Sequence, residues 1–201
     1  IFPSSHHEPL DIPAGRVPDS DYGPQETSIN DADYALGQFL DKARGSNYWK
    51  NTVFMVVADH NWRIWGGKYV PVEHFRIPGA IFGPSIEPRR IPGIASQVDL
   101  IPTLLSLIGV DGVHPAIGRD LTRPENLNGS GRAQMQFHAD QAWMEGERIV
   151  VLRSDLEPIS LIVEENGNVV EDPMPDPEVI RRALAHAHWG PLMIKRRAYR
   201  L

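Results

Sequence analysis

The chain has 201 residues, a net charge of −6 and 41% hydrophobic residues, with 18 prolines, 17 glycines and no cysteine. That acidic balance gives no electrostatic footprint for nucleic acid, no stretch approaches the ~18 consecutive apolar residues of a membrane span, and disulfides and thiolate metal sites are excluded. The length suits one domain with a substantial core.

Ile1 to His7 show neither an initiator methionine nor a signal-peptide pattern, so the chain reads as a piece of a longer protein. Residues 1 to 26 are rich in Pro, Gly, Ser and Asp and read as loop. Within them Ser5-His6-His7-Glu8-Pro9-Leu10 places two histidines on an extended segment. They are either exposed loop side chains, or one of them enters a pocket as a proton donor or anion contact.

Ser28 or Asn30 is the predicted cap of a helix running to about Arg44, with Ala32, Ala35, Leu36, Phe39, Leu40 and Ala43 on one face and Gly45-Ser46 ending it. The next element, Val53 to Ala58, is an unbroken apolar run rich in β-branched residues. This is how a strand buried on both faces of a parallel sheet reads. It stops at Asp59-His60-Asn61. Ligands bind at the carboxyl ends of strands in open α/β sheets, and an Asp oxygen with a neutral His nitrogen is a usual ligand pair for a divalent cation. The plain alternative is a turn-capping Asp59 and a solvated His60.

The following loop carries Trp62, Arg63, Trp65, Gly66, Gly67, Lys68 and Tyr69. Aromatics and cations there suit an anionic substrate with a carbon skeleton, although tryptophans also serve simply to anchor a loop. Gly79 to Pro84 reads as a second strand after His74-Phe75-Arg76-Ile77-Pro78, and Arg89 and Arg90 lie on the loop beyond it. A second helix is predicted over Gln97–Leu107, capped by Ser96. Val98, Ile101, Leu104, Leu105 and Ile108 form its apolar face, and its true start is set near Leu100 or Ile101 by Pro102. After a loop over residues 109 to 132, Ala133–His138 and Glu147–Arg153 read as strands. Leu161–Val163 and Val169–Val170 form a hairpin through Asn166-Gly167, all in a small antiparallel sheet. Asp176-Pro177 opens a final helix that Gly190-Pro191 should interrupt, ahead of the basic stretch Lys195 to Arg200.

Four of these stretches together resemble the sulfatase-like branch of the alkaline phosphatase superfamily, and within it the lipoteichoic acid synthase and phosphoglycerol transferase group. They are Asp31 to Phe39, Thr52 to His60, His74 to Pro84, and Ile94 to Leu105, the last being the most specific. Ser5 to Leu10 is similar to the family's histidine-bearing Asn-His-x-Pro-Phe segment. Gln141 to Leu152 is similar to its late strands. Asn61 stands where the family commonly has Gly, and His6 where it has Asn.

The resemblance implies an α/β fold: a mostly parallel sheet flanked by helices, alkaline phosphatase-like and incomplete, with a small antiparallel part and a C-terminal helix. It divides into residues 1–132, the C-terminal portion of the catalytic domain, and 133–201, a β-rich subdomain of the same domain. Asp59 and His60 become ligands of a divalent metal (manganese, zinc, magnesium or calcium). His7 becomes the catalytic and substrate-contacting histidine, and Arg63 and His74 bind the anionic group. The nucleophile, and a Glu ligand, are expected upstream of Ile1 in the missing N-terminal part of the same enzyme. The fragment alone should be inactive and a weak metal binder, with His74 and His138 the further ligands to check.

The activity implied is phosphoryl or sulfuryl ester hydrolysis or transfer through a covalent intermediate. It would act on a phosphate or sulfate ester such as a lipid head group, at the extracytoplasmic face of the membrane. The rival from another class is a non-enzymatic α/β module holding a sugar or anionic polymer through Trp62, Trp65 and Arg63.

Overall fold

The computed structural model describes residues 7–21, 23–61, 69–127 and 131–198. His6, Trp62, Arg63, Trp65, Lys68 and Arg200 therefore lie outside the described residues. Two compact units are formed, residues 1–53 with 83–85, and residues 54–82 with 86–201.

In the first unit the main element is α1, Pro24–Arg44. It begins a full turn before the predicted caps because Pro24 occupies its first turn after Gly23, at φ 103°. Proline there arrives with a helical φ and lacks only an amide that would be unpaired anyway. Ser28 is consequently inside the helix, buried, with its hydroxyl donating to the Gln25 carbonyl at 2.6 Å. The preceding loop is tied to the first two turns: Arg16 grips both carboxylate oxygens of the fully buried Asp31, and the Ser20 amide donates to Thr27 Oγ1 at 2.8 Å. Gly45 ends the helix as expected.

The second unit opens with β1, Phe54–Val57, paired with β2, Gly79–Phe82. The pairing is antiparallel, Phe54 opposite Phe82 and Val57 opposite Gly79, and the two phenyl rings stack at 5.6 Å. The expected parallel neighbours are not seen among the described residues: both sheets pair antiparallel, and one isolated parallel bridge joins Ile94 to Gly131. An apolar run reports burial and says nothing of strand direction. Even that burial is partial, since β1 is half-buried throughout.

Gln97–Asp99 forms a 3-10 turn leading into α2, Leu100–Leu107, so the helix starts where Pro102 requires. Its apolar face is less covered than expected. Pro102 and Thr103 are the buried residues, whereas Ile101 and Ile108 are about half exposed, at 50% and 49%. A one-turn helix, α3, follows at Pro124–Leu127.

Five strands then form a meander, β3 Arg132–Phe137, β4 Asp140–Glu145, β5 Arg148–Leu152, β6 Ile159–Val163 and β7 Val169–Glu171. Alternation divides its side chains between two faces. Ala142, Met144, Ile149, Val151 and Leu161 pack with Val70 and Val72 on one. Trp143 and Val150 meet Val179 and Ala183 of α4, Pro177–Lys195, on the other. The Asn166-Gly167 turn forms as predicted, Gly167 taking φ 85°. Asp176 caps α4 by accepting from the Glu178 amide at 2.9 Å. Gly190-Pro191 does not interrupt α4. Pro191 removes a single amide bond, and the helix is already docked upstream through Val179 and Ala183.

The contact between α4 and the sheet is also an ionic one. Trp143 stacks on His186 at 4.0 Å, Arg132 lies over the indole at 5.2 Å, and the indole N–H donates to Glu145. Burial acts to raise the Glu145 carboxyl, but hydrogen bonds from Arg182 and Trp143, and the charges of Arg182 and Arg132, hold it below the usual range. Burial and the charge of Arg132 push the His186 imidazole below its ordinary value, against the opposing pull of Glu145 and Asp99. A histidine depressed in the folded state contributes stability that is complete above its unfolded pKa of about 6.5 and is lost as pH falls through the folded value. Melting temperature should therefore fall on acidification from pH 7.5 to 5.5, and the fall should be shallower in His186→Phe, which keeps the stack but cannot titrate.

Candidate metal centre

The carboxyl end of β1 places Asp59 and His60 side by side on the surface. Their side chains are 56% and 68% exposed, with His60 Nε2 3.6 Å from Asp59 Oδ2. Each is oriented by its other polar atom. Asp59 Oδ1 accepts the His60 backbone amide at 2.9 Å, which turns the carboxylate toward the ring and leaves Oδ2 outward. His60 Nδ1 is 2.7 Å from the Asn61 carbonyl. A carbonyl only accepts, so Nδ1 carries a proton, and in the neutral ring the lone pair resides on Nε2. Oδ2 and Nε2 are thus an adjacent oxygen and nitrogen donor of the kinds a divalent cation takes.

The two donors suit a cation but do not surround one. Among the described residues no group of three His, Cys, Asp or Glu side chains could hold a metal ion, so neither His74 nor His138 joins the pair. His74 sits half-buried in a 3-10 turn, Val72–Phe75. His138 takes φ 53° in the turn between β3 and β4. In the other unit, His7 is exposed and its Nδ1 lies 2.8 Å from the Glu8 carbonyl. Arg63 lies outside the described residues. A cleft of about 400 Å³ lined by Pro102, Ser106, His114, Asp120 and Arg123 includes neither Asp59 nor His60.

Sequence reasoning missed what holds the pair in place. Gln97 Nε2 donates to the carbonyls of Ala58, at 3.1 Å, and Asp59, at 2.9 Å, fixing the backbone where β1 ends. Gln97 is itself held by the turn it opens, a capping box in which the Ser96 amide donates to Asp99 Oδ2 at 3.0 Å. Asp99 is fully buried and accepts twice more, from the Arg119 amide at 2.7 Å and its guanidinium at 2.8 Å. The guanidinium continues to the Ile94 carbonyl at 2.9 Å. Gly118 lets Arg119 come so close, because a Cβ there would lie 1.8 Å from the Val98 carbonyl oxygen. Thr103 completes the junction, its hydroxyl donating to the Asp99 carbonyl at 2.6 Å and accepting the Leu121 amide at 3.0 Å. The signal was present as Ser-x-x-Asp before an apolar run, the sequence mark of a capping box.

Comparison with known proteins identifies the family and the fold. The sulfatase family model matches residues 4–110. A curated sulfatase of Formosa agariphila is 28% identical over 107 residues, covering 50% of this chain and 21% of its own length. A crystal structure of a protein in the alkaline phosphatase superfamily from Vibrio parahaemolyticus superimposes with a TM-score of 0.90 at 38% identity, covering 98% of this chain and 49% of that one. The Ps i-CgsB crystal structure shares the fold more distantly, with a TM-score of 0.53 at 16% identity over 86% of this chain and 42% of its own. The chain thus spans about half, or less, of the length of the proteins it resembles. With the Asp-His pair ending β1 and the braced turn ahead of α2 both inside the matched residues, this chain belongs to the sulfatase family.

Proposed function

We propose that this chain contributes two cation ligands, Asp59 and His60, to an enzyme that hydrolyses or transfers a phosphate or sulfate ester. The observation that carries the reading is the pairing of Asp59 Oδ2 with His60 Nε2 on one exposed edge, each presented by a hydrogen bond to its second polar atom. A divalent cation bound there supplies charge neutralisation at ester oxygens and lowers the pKa of a coordinated hydroxyl. Manganese, zinc, magnesium and calcium are the candidates.

The chain's own residues orient and contact. His7, with Nδ1–H donating to Glu8, presents Nε2 as an acceptor, so donating a proton to a leaving oxygen requires its imidazolium form. Arg63 and His74 are the proposed anion contacts. The hydroxyls of Thr52 and Thr103 are committed to the carbonyls of Tyr48 and Asp99, which fits a nucleophile drawn from elsewhere in the enzyme. Within this reaction class, the finer reading is transfer of a phosphoglycerol-like group from a lipid head group outside the cytoplasm. Its support is the residue pattern of the four family-like stretches.

In the full-length enzyme, a chelator should reduce hydrolysis of both 4-nitrophenyl sulfate and bis(4-nitrophenyl) phosphate to background, and manganese or zinc should restore it. The ratio of the two restored rates separates sulfuryl from phosphoryl specificity. Turnover unchanged after exhaustive chelation would sink the proposal.

A further inference from the structure

We infer that the distal half of α4, from His188 onward, docks on a membrane surface bearing anionic lipids. The inference concerns α4 alone and does not depend on the roles given to Asp59 and His60.

Charge segregates along this chain. The whole carries −6, yet no Asp or Glu follows Glu178. The cations at the start of α4 are matched, Arg181 by Glu178 and Arg182 by Glu145. Lys195, Arg196 and Arg197, at its end, have no carboxylate partner among the described residues.

Apolar exposure falls on the same turns. The helix meets the sheet through Val179, Ala183 and His186, all in its first half. From His188 to Ala198 every residue is exposed except Gly190 and Met193, which are half-buried. Trp189 and Leu192 are each 37% exposed, and Ile194 is 73% exposed. Apolar side chains among unmatched cations suit a helix end lying at the headgroup boundary. An indole settles at that level, and lysine and arginine stems reach from it to lipid phosphates. A soluble anionic polymer would use the cations but has no use for Leu192 and Ile194. A second copy would set like charge against like.

The backbone fits the same boundary. The Arg197 amide donates to the Ile194 carbonyl at 3.0 Å, and the Ala198 amide to the Met193 carbonyl at 3.0 Å. These are the paired bonds of a Schellman ending, so those carbonyls need no water when the helix end leaves solvent. Arg197 holds φ 51°, in the left-handed position that usually carries Gly. An arginine gains nothing in backbone energy there, so what it contributes is its guanidinium.

The test sediments the full-length enzyme with vesicles of phosphatidylcholine mixed with phosphatidylglycerol, and with vesicles of phosphatidylcholine alone. Binding to the mixed vesicles should be the stronger and should weaken as salt rises. Neutralising Lys195, Arg196 and Arg197 together to Gln should weaken it by about 100-fold. Arg197→Gly should lose about five-fold in binding while its melting temperature stays level or rises, because glycine suits the positive φ. Brominated acyl chains should quench the enzyme's tryptophan emission, and Trp189→Phe should lose that quenching.

Failure to sediment would overturn the inference, because the face is then covered by the rest of the enzyme or merely solvated. Equal binding to phosphatidylcholine alone would overturn the charge argument. Binding of polyphosphate without quenching by brominated chains would replace the membrane with a soluble polymer. Parent-like binding by Arg197→Gly would remove Arg197 from the surface and the backbone argument with it.

Discussion

Replacing Asp99 by Ala should destabilise the second unit by about 3–5 kcal/mol, the cost of removing one partner from a buried ion pair. Asp99 is fully buried, and Arg119 is 16% exposed, so the orphaned guanidinium has little access to water. The substitution deletes three hydrogen bonds together, from the Ser96 amide, the Arg119 amide and the guanidinium. Two of these hold the turn before α2 and the loop after it, so the loss should spread along both. Asp99→Asn, which keeps acceptors on an oxygen but gives up the charge, should cost less. Urea denaturation of the two variants checks the size and order of the effects. A loss below about 1 kcal/mol for Asp99→Ala, the range of an exposed pair, would show that this junction does not brace the unit.

For the intact enzyme, Asp59→Ala should bring turnover to background while leaving the melting temperature nearly unchanged, because an exposed carboxylate whose partners are the amide and ring of the adjacent His60 contributes little to folding. Gln97→Ala separates ligand from positioning residue. It removes no donor atom from the cation, only the clamp on the carbonyls of Ala58 and Asp59. It should weaken cation affinity by about 10–100-fold, as loss of an outer-shell partner does, and excess cation should rescue its rate. Calorimetry and cation titration of the rate check the two cases. Full activity in Asp59→Ala would refute its assignment as a ligand.

Local chemistry and the late antiparallel hairpin were legible in the sequence, and the pairing of β1 was not. Asp176-Pro177, Asn166-Gly167 and the Ser96 start of the second helix each specify a backbone shape within a few residues, and each formed where expected. The direction of β1 depends on a strand more than twenty residues further on, about which its apolar run says nothing. β4 was hidden until family resemblance pointed to it, because its entry turn uses His138 at positive φ in place of the usual Gly or Asn. In the candidate site, the adjacent oxygen and nitrogen donors were visible from the dipeptide. The clamp by Gln97 was not, since an exposed Gln beside a predicted cap carries no sequence mark of reaching another element.

The meander has a consequence for how the protein assembles. Each of its strands pairs with its sequence neighbours, so the strand contacts of β3 to β7 are closed through short loops. Low contact order favours rapid formation. The stretch from β3 to β7 can therefore act as an early template, ready before the more distant partners β1 and β2 have found each other, and the residues that would grip the cation are then set after it.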